Sequence, residues 1–163
     1  MRKVYTVTAA AHVEAPAEVV YAILADYKDG HPYILPRKYF TFLKVERGGF
    51  GEGTVIRFGM RAFGKTRTAR AAVTEPEPGR VLVETALDEG GPVTTFVVEP
   101  EGQGSRVTFK TELSAPSGPG GSIVRFLATR FLKRVFAEEL AQLGDFARRR
   151  SVVRHWESAA LAA

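Results

Sequence analysis

The sequence has no cysteine and only three histidines among its 163 residues. Without cysteine the chain has no disulfide bond, no thiolate nucleophile and no thiolate ligand for a metal, which excludes a disulfide-stapled secreted scaffold. His12, His31 and His155 lie in three different predicted elements and have none of the short spacings of metal-binding motifs. We therefore expect no metal site and no cofactor.

Long hydrophobic runs are absent as well. No segment reaches the roughly 18 consecutive apolar residues of a membrane-spanning helix. Residues 1–6 carry two basic side chains and then alternate in polarity, unlike the continuous apolar stretch of a secretory signal peptide. We expect a soluble, cytoplasmic protein.

Strong catalytic motifs are also missing. The sequence has no glycine-rich phosphate loop, no His-Glu-x-x-His and no serine in a nucleophile elbow. Its composition, 45% hydrophobic and 25% charged, is typical of one globular domain with a substantial core. We expect a single domain over residues 1–150 and a C-terminal tail over residues 151–163.

The chain begins with a strand that is followed at once by an amphipathic helix. The strand is predicted from Lys3 to Val13. Pro16 suits the first position of the helix, because its fixed φ and missing N–H are tolerated there. The apolar face of this helix consists of Val20, Ile23, Leu24 and Tyr27. Residues 29–37, with prolines near both ends, are predicted to form a short helix or turn.

Glycine- and proline-rich turns divide residues 40–113 into strands, which predicts an antiparallel meander. A two-residue turn at Phe63 and Gly64 brings apolar residues opposite each other on one face. The pairs on that face are Met60 with Arg67, Phe58 with Ala69 and Ile56 with Ala71. The opposite, solvated face carries Arg57, Arg61 and Arg70, and a slip of one residue would bury these arginines.

The last hairpin has the same organisation, with its turn within residues 101–104. The predicted pairs on the apolar face are Val98 with Val107, Phe96 with Phe109 and Thr94 with Thr111. On the other face, Glu99 meets Arg106. A sheet with one apolar face needs a cover.

A long helix from Ser122, as the N-cap, to about Arg150 supplies that cover. Its predicted apolar face consists of Val124, Leu127, Ala128, Phe131, Leu132, Val135, Phe136, Leu143 and Phe146. The opposite face carries Arg130, Lys133, Arg134 and Arg148. Much of the basic excess behind the formal net charge of +5 therefore lies on this helix and the residues after it.

Four features together resemble a known superfamily: the segment from Ala15 to Tyr27, the turns at residues 51–54 and 75–79, and the long closing helix. They resemble the helix-grip proteins of the START and birch-pollen-allergen (SRPBCC) superfamily, in particular its bacterial polyketide cyclase/dehydrase-type branch, over residues 4–150. The resemblance implies an α+β helix-grip fold, in which a curved antiparallel sheet of about seven strands wraps around the C-terminal helix. It also implies two short helices between strands 1 and 2, and a cavity for an apolar ligand.

The resemblance and the inward-facing pattern together suggest which residues surround such a cavity. The candidate ligand-binding residues are Tyr27, His31, Tyr33, Ile56, Phe58, Met60, Thr94, Phe96, Phe109, Thr111, Val124, Leu127 and Phe131. His31 is the candidate acid-base residue, because a polar group in an apolar cavity can have a shifted pKa. Its alternative role is structural, as a helix cap. Glu84 is a second polar candidate, whereas the strand register points Glu112 outward.

Three functions are compatible with these features. The first is binding or transport of a small hydrophobic ligand, such as a lipid, polyketide, isoprenoid quinone or other aromatic. The second is a polyketide cyclase or aromatase activity with His31 or Tyr33 as the acid-base group. The third is an interaction protein that uses the basic helix face, for which an anionic membrane surface is a candidate partner. Nucleic acid is not expected, because the arginines at positions 57, 61, 67 and 70 lack interleaved stacking aromatics. The oligomeric state stays open.

Overall fold

Seven antiparallel strands form one curved sheet around a long C-terminal helix in the computed structural model, which describes residues 1–162. The strands are β1 (Arg2–Val13), β2 (Phe40–Arg47), β3 (Val55–Ala62), β4 (Lys65–Glu77), β5 (Val81–Ala86), β6 (Val93–Glu101) and β7 (Gly104–Pro116). The helices are α1 (Ala17–Ala25) and α2 (Pro119–Leu161), with a 3-10 turn at His31–Tyr33. The predicted helix-grip architecture is confirmed, including two short helical segments between the first two strands.

The strand order places β1 and β2 at opposite edges of the sheet, as β1-β7-β6-β5-β4-β3-β2. Helix α1 and the 3-10 turn connect the two edges. Register shifts interrupt the β2–β3 and β4–β5 ladders. Such bulges bend a strand and increase its twist, which helps the sheet to curve around α2.

The predicted register of the β3–β4 hairpin is confirmed. Ala62 pairs with Lys65, and the inward pairs include Phe58 with Ala69. Phe63 and Gly64 both have positive φ, 50° and 72°, as the tight turn between paired strands requires. The three arginines predicted on the solvated face, Arg57, Arg61 and Arg70, are exposed.

The register of the β6–β7 hairpin is confirmed in the same way. Phe96 lies opposite Phe109, and Glu99 lies opposite Arg106. The rings of Phe96 and Phe109 meet edge to face with centroids 4.8 Å apart. Phe109 also meets Phe136 of α2 edge to face at 5.8 Å. These aromatic contacts join the centre of the sheet to the helix that covers it.

Helix α2 is longer than predicted at both ends. It begins at Pro119 and not at Ser122, because a proline suits the first helical position and Gly118, with φ of 95°, supplies the turn before it. Ser122 is therefore not the N-cap; its hydroxyl lies 3.3 Å from the Gly118 carbonyl oxygen, to which it donates. At the other end, the helix continues past Arg150 to Leu161 after the apolar pattern has ended, in a segment that contains no glycine or proline to stop it.

Only the middle of α2 is fully covered by the sheet and α1. Apart from Gly121, its buried residues are Val135, Phe136, Glu139, Leu140, Leu143 and Ala147. The turns before and after this stretch are mostly exposed. Within residues 1–162, no helix is both long and apolar enough to span a membrane.

The junction between β7 and α2 gives a stability prediction. A Cβ atom on Gly121 would overlap the carbonyl group of Pro116, whereas a Cβ atom on Gly120 would meet open space. We expect Gly121→Ala to lower the free energy of unfolding by about 1–3 kcal/mol, because α2 must shift away from β7. We expect the matched control Gly120→Ala to leave it unchanged or raise it by up to about 1 kcal/mol. Urea unfolding followed by circular dichroism measures both, and equal effects would contradict this packing.

Candidate functional site

A cavity of about 160 Å³ lies between the concave face of the sheet and α2. Its apolar walls consist of Leu35, Phe40, Leu43, Ile56, Phe58, Met60, Pro92, Phe96, Leu113, Leu132, Val135 and Phe136. Its polar lining residues are His31, Glu84, Thr94, Thr111 and Glu139. The cavity is therefore an apolar chamber with a few polar groups, which is the usual composition of a small-molecule site.

Small residues on β4 pair with two large cavity-lining residues of β3. Ala69 and Ala71 lie opposite Phe58 and Ile56 on the inward face of the sheet. Neither alanine lines the cavity itself, whereas both of their partners do.

One wall of the cavity carries a cluster of ionisable side chains around Glu84. The Tyr27 hydroxyl donates a hydrogen bond to Glu84 Oε1 at 2.7 Å. The Tyr27 ring stacks on the His31 ring, with centroids 4.7 Å apart and planes 14° from parallel. Burial raises the pKa of Tyr27 well above its ordinary value, and the neighbouring Glu84 raises it further. Tyr27 therefore stays neutral and remains a hydrogen-bond donor.

His31 is held in one tautomer by the end of α1. Its Nδ1 lies 2.7 Å from the carbonyl oxygen of Leu24. Because a carbonyl oxygen can only accept, Nδ1 must carry the proton. The other ring nitrogen, Nε2, lies 3.7 Å from Glu84 Oε1, too far for a direct hydrogen bond. His31 thus makes the helix-capping contact that was predicted as its alternative, structural role. Its second ring nitrogen still lies beside the cavity.

Glu139 is the most unusual polar group of the cavity. It is only 4% exposed, and no hydrogen bond among residues 1–162 involves its carboxyl group. Burial raises the pKa of Glu139 well above the ordinary value, and the charge of Glu84 adds to this effect. A protonated Glu139 offers an O–H donor to any molecule in the cavity.

The position of Glu139 was readable from the sequence, although the predicted apolar face omitted it. It follows Val135 by four residues and precedes Leu143 by four, so helical spacing places it in the middle of the buried face. Leu35, Phe40 and Leu43 were also missed. They come from the irregular segment before β2 and from β2 itself, where no periodic pattern identified an inward face.

The structure brings seven of the thirteen predicted site residues to the cavity wall. These seven are His31, Ile56, Phe58, Met60, Thr94, Phe96 and Thr111. Glu84 also lines the cavity, and Glu112 is exposed, as the register predicted. The hydroxyls of Thr94 and Thr111 are hydrogen-bonded to each other at 2.8 Å, across the two strands that the predicted register paired.

The other six residues do not line the cavity, which corrects their predicted placement. They are Tyr27, Tyr33, Phe109, Val124, Leu127 and Phe131. Tyr27 and Phe109 are fully buried and support the wall from behind, through His31 and Phe96 respectively.

The remaining four residues lie outside the cavity at or near the surface. Tyr33 is exposed and stacks on Phe146 at 5.3 Å. Phe131 is half-buried and meets Tyr39 edge to face at 5.4 Å. Val124 and Leu127 are exposed, because the first turns of α2 extend past the covered part of the helix.

The raised pKa of Glu139 predicts a pH effect on stability. Between the ordinary and the raised pKa, the folded protein holds a proton that the unfolded chain releases, so stability falls as the pH rises through this window. Glu139→Gln cannot ionise. We therefore expect its free energy of unfolding to rise relative to wild type as the pH increases from about 4 to about 8.

Urea unfolding at a series of pH values measures this difference. The control is Glu138→Gln, which changes the next residue; that side chain is half-exposed and ion-paired with Lys38. We expect the control to change stability by no more than about 1 kcal/mol. Parallel pH profiles of stability for wild type and Glu139→Gln would contradict the raised pKa of Glu139.

Comparison with known proteins shows where this fold occurs. The structure is similar to the solution structure of KanY protein, with a TM-score of 0.79, 24% identity, and 90% of this chain and 99% of that chain covered. It is similar to TTHA0849 from Thermus thermophilus, with a TM-score of 0.72, 24% identity, and coverage of 90% and 99%. It is also similar to the Zhui aromatase/cyclase from Streptomyces sp. R1128, with a TM-score of 0.75, 19% identity, and coverage of 91% and 96%.

At these identities the likeness to solved structures is one of fold. Among curated proteins, none matches the sequence significantly. The family model described as polyketide cyclase/dehydrase and lipid transport matches residues 5–147. Because that match covers most of the chain, this protein belongs to the polyketide cyclase/dehydrase and lipid transport family, within the SRPBCC superfamily.

Proposed function

We propose that this protein binds a small hydrophobic molecule carrying at least one polar oxygen, in the cavity between the sheet and α2. The observation that carries this proposal is a chamber with apolar walls into which a buried, unpartnered Glu139 projects. Burying the apolar part of a ligand there supplies affinity, at about 25 cal/mol per Å². The polar wall supplies orientation.

The volume of the cavity limits the ligand. A chamber of about 160 Å³ is close to the size of a cavity that accepts one benzene ring. It is smaller than the pockets of several hundred Å³ that hold drug-sized molecules. A one-ring aromatic compound or a short branched chain therefore fits inside, and a larger lipid or polyketide would extend out of the chamber.

The polar wall favours a hydroxyl or carbonyl oxygen on the ligand. Protonated Glu139 can donate a hydrogen bond, and His31 Nε2 can accept one whenever the ring carries its single proton on Nδ1. Phenols and enols can use both groups, since their O–H both donates and accepts. The family description names polyketide cyclases and lipid transport, and an apolar chamber with a polar wall is compatible with both.

Filling the cavity tests this function. Val135 lines the chamber, whereas Val124 lies on an exposed turn of the same helix. We expect Val135→Phe to abolish binding of a hydrophobic ligand and Val124→Phe to leave it intact. Native mass spectrometry and organic extraction of freshly purified protein detect any bound molecule, and the shift of Tm with added toluene detects binding of a known probe.

The substitution at Val135 is expected to reduce stability by about 1–3 kcal/mol through overpacking, so circular dichroism must first show that the variant is folded. The proposal would be contradicted if purified wild-type protein carried no adduct and if added toluene did not shift its Tm. Equal loss of binding in both variants would place the ligand elsewhere.

A second candidate function is acid-base catalysis of ring closure, as in a polyketide cyclase. The specific observation in its favour is the pair formed by a cavity-facing acid, Glu139, and a tautomerically fixed histidine, His31. An uncharged imidazole Nε2 can remove a proton next to a ketone, while a carboxylic acid protonates the ketone oxygen that is attacked. The structural neighbour Zhui is described as an aromatase/cyclase.

Heptane-2,4,6-trione is a suitable test substrate, because its product contains a single ring. It forms orcinol when one terminal methyl carbon bonds to the far ketone carbon and one water is lost. We expect His31→Gln, which keeps a donor for the Leu24 carbonyl, to reduce the rate by about 100-fold or more. Tyr33→Phe, on the exposed side of the same turn, should leave the rate unchanged. Orcinol formation at the uncatalysed rate in wild type would eliminate this candidate and leave the binding function standing.

A further inference from the structure

The first turns of α2 expose a cluster of apolar side chains. The members of this cluster are Ile123, Val124, Phe126 and Leu127, which are between 44% and 64% exposed. Single apolar residues at a surface are ordinary, but four within five consecutive positions form a contiguous patch that normally marks an interaction site.

Positive charge follows this cluster directly. The segment over residues 119–137 contains four basic residues and no acidic one. The basic residues are Arg125, Arg130, Lys133 and Arg134, all exposed. Within residues 1–162 none of the four takes part in an ion pair. Their charge is therefore available to an anionic partner.

The tip of the β3–β4 hairpin extends the same surface. Phe63 is 65% exposed, and its ring centroid lies 5.4 Å from that of Phe131 on α2. Lys65 and Arg67 follow it on β4 and are exposed. The β5–β6 loop lies at the same end of the sheet, where it adds exposed Leu87 together with Asp88 and Glu89. We refer to residues 63–67 and 123–134 as the basic end of the protein.

The spacing of the two kinds of residue along α2 matches the depth of a lipid interface. Phe126 precedes Lys133 by seven residues, or about 10 Å along the helix axis at 1.5 Å per residue. Apolar side chains at an interface are buried about 5–10 Å into the boundary between headgroups and acyl chains. If α2 meets the bilayer with its N-terminal end, Phe126 therefore reaches that depth while Lys133 stays at the level of the phosphates. The first turns of α2 are uncharged except for Arg125, and Arg130, Lys133 and Arg134 follow about one to two turns later.

We propose that the basic end docks on an anionic lipid bilayer, with the first turns of α2 and Phe63 inserted among the headgroups. The exposed apolar cluster favours a bilayer over a nucleic acid, because phosphate contacts alone would leave these side chains in water. Docking goes beyond the proposed ligand binding and does not require an occupied cavity. Leu132 of the basic end lines the cavity and is incompletely buried, as are Met60 before the β3–β4 turn and Pro92 in the β5–β6 loop, so a docked protein would present its chamber to the membrane.

Vesicle co-sedimentation tests the electrostatic part of the proposal. The probes are vesicles of phosphatidylserine mixed with phosphatidylcholine, and vesicles of phosphatidylcholine alone. Each basic residue near an anionic leaflet contributes roughly fivefold to partitioning, so Arg130→Gln/Arg134→Gln should reduce binding to the mixed vesicles by about 30-fold. The control Arg148→Gln/Arg149→Gln removes the same charge from exposed positions nearer the other end of α2 and should have little effect.

Insertion has its own readout. The only tryptophan, Trp156, lies 30 residues after Phe126 on the same helix, or about 45 Å along its axis. We expect Phe126→Trp in a Trp156→Phe background to show a blue shift of fluorescence when mixed vesicles are added. Wild-type protein, in which Trp156 is the fluorescent tryptophan, should show no blue shift. Ile123→Ser/Phe126→Ser should lose vesicle binding without losing stability, because both side chains are exposed.

Three results would overturn docking at this end: equal losses in the two arginine pairs, no blue shift from the tryptophan at position 126, or binding to single-stranded RNA that is tighter than binding to the mixed vesicles. The cavity-filling variant Val135→Phe separates this proposal from the function proposed above. It should dock normally while ligand binding is lost, whereas a failure of docking leaves the ligand-binding result unaffected.

Discussion

One helix cannot cover the concave face of a seven-stranded sheet, and the other features of this protein depend on that mismatch. Seven strands about 4.8 Å apart span roughly 29 Å, whereas a helix with its side chains is about 10–12 Å wide. The main contacts of α2 with the sheet are to β1 and β7, and α1 covers part of β6 and β7. The inward side chains of β3 and β5 therefore face a space that neither helix fills. The result is an apolar chamber beside the middle of α2.

The chamber also explains the polar groups around it. A buried carboxyl group without a partner is costly, and Glu139 reduces this cost by holding its proton. Glu84 is stabilised differently, because it accepts a hydrogen bond from the Tyr27 hydroxyl. Two carboxyl groups thus have different environments within one cavity. Such a pair can orient a polar ligand, because protonated Glu139 can donate a hydrogen bond and Glu84 can accept one.

Much of this fold was predictable from the sequence, because alternating apolar and polar residues show which face of a strand is buried. The alternation of Ile56, Phe58 and Met60 against arginines fixes one hairpin register, and the threonine pair at positions 94 and 111 fixes another. The long helix was predictable in its middle but not at its ends. Periodicity shows that Val124 and Leu127 belong to an apolar face, yet it cannot show that the covering layer stops before them. Glu139 was missed for the opposite reason: its spacing places it on the buried face, although residue type alone suggests solvent.

The central claim is that the chamber binds a hydrophobic molecule through a polar contact with Glu139. The most direct test is an NMR titration of wild type and Glu139→Leu with p-cresol and toluene, which differ by one hydroxyl group. Both compounds should shift the resonances of Phe58 and Phe96 in wild type. The substitution should weaken the binding of p-cresol by up to about tenfold, which corresponds to the loss of one hydrogen bond. It should not weaken the binding of toluene. If neither compound affected those residues, or if Glu139→Leu weakened both compounds equally, the claim would be contradicted.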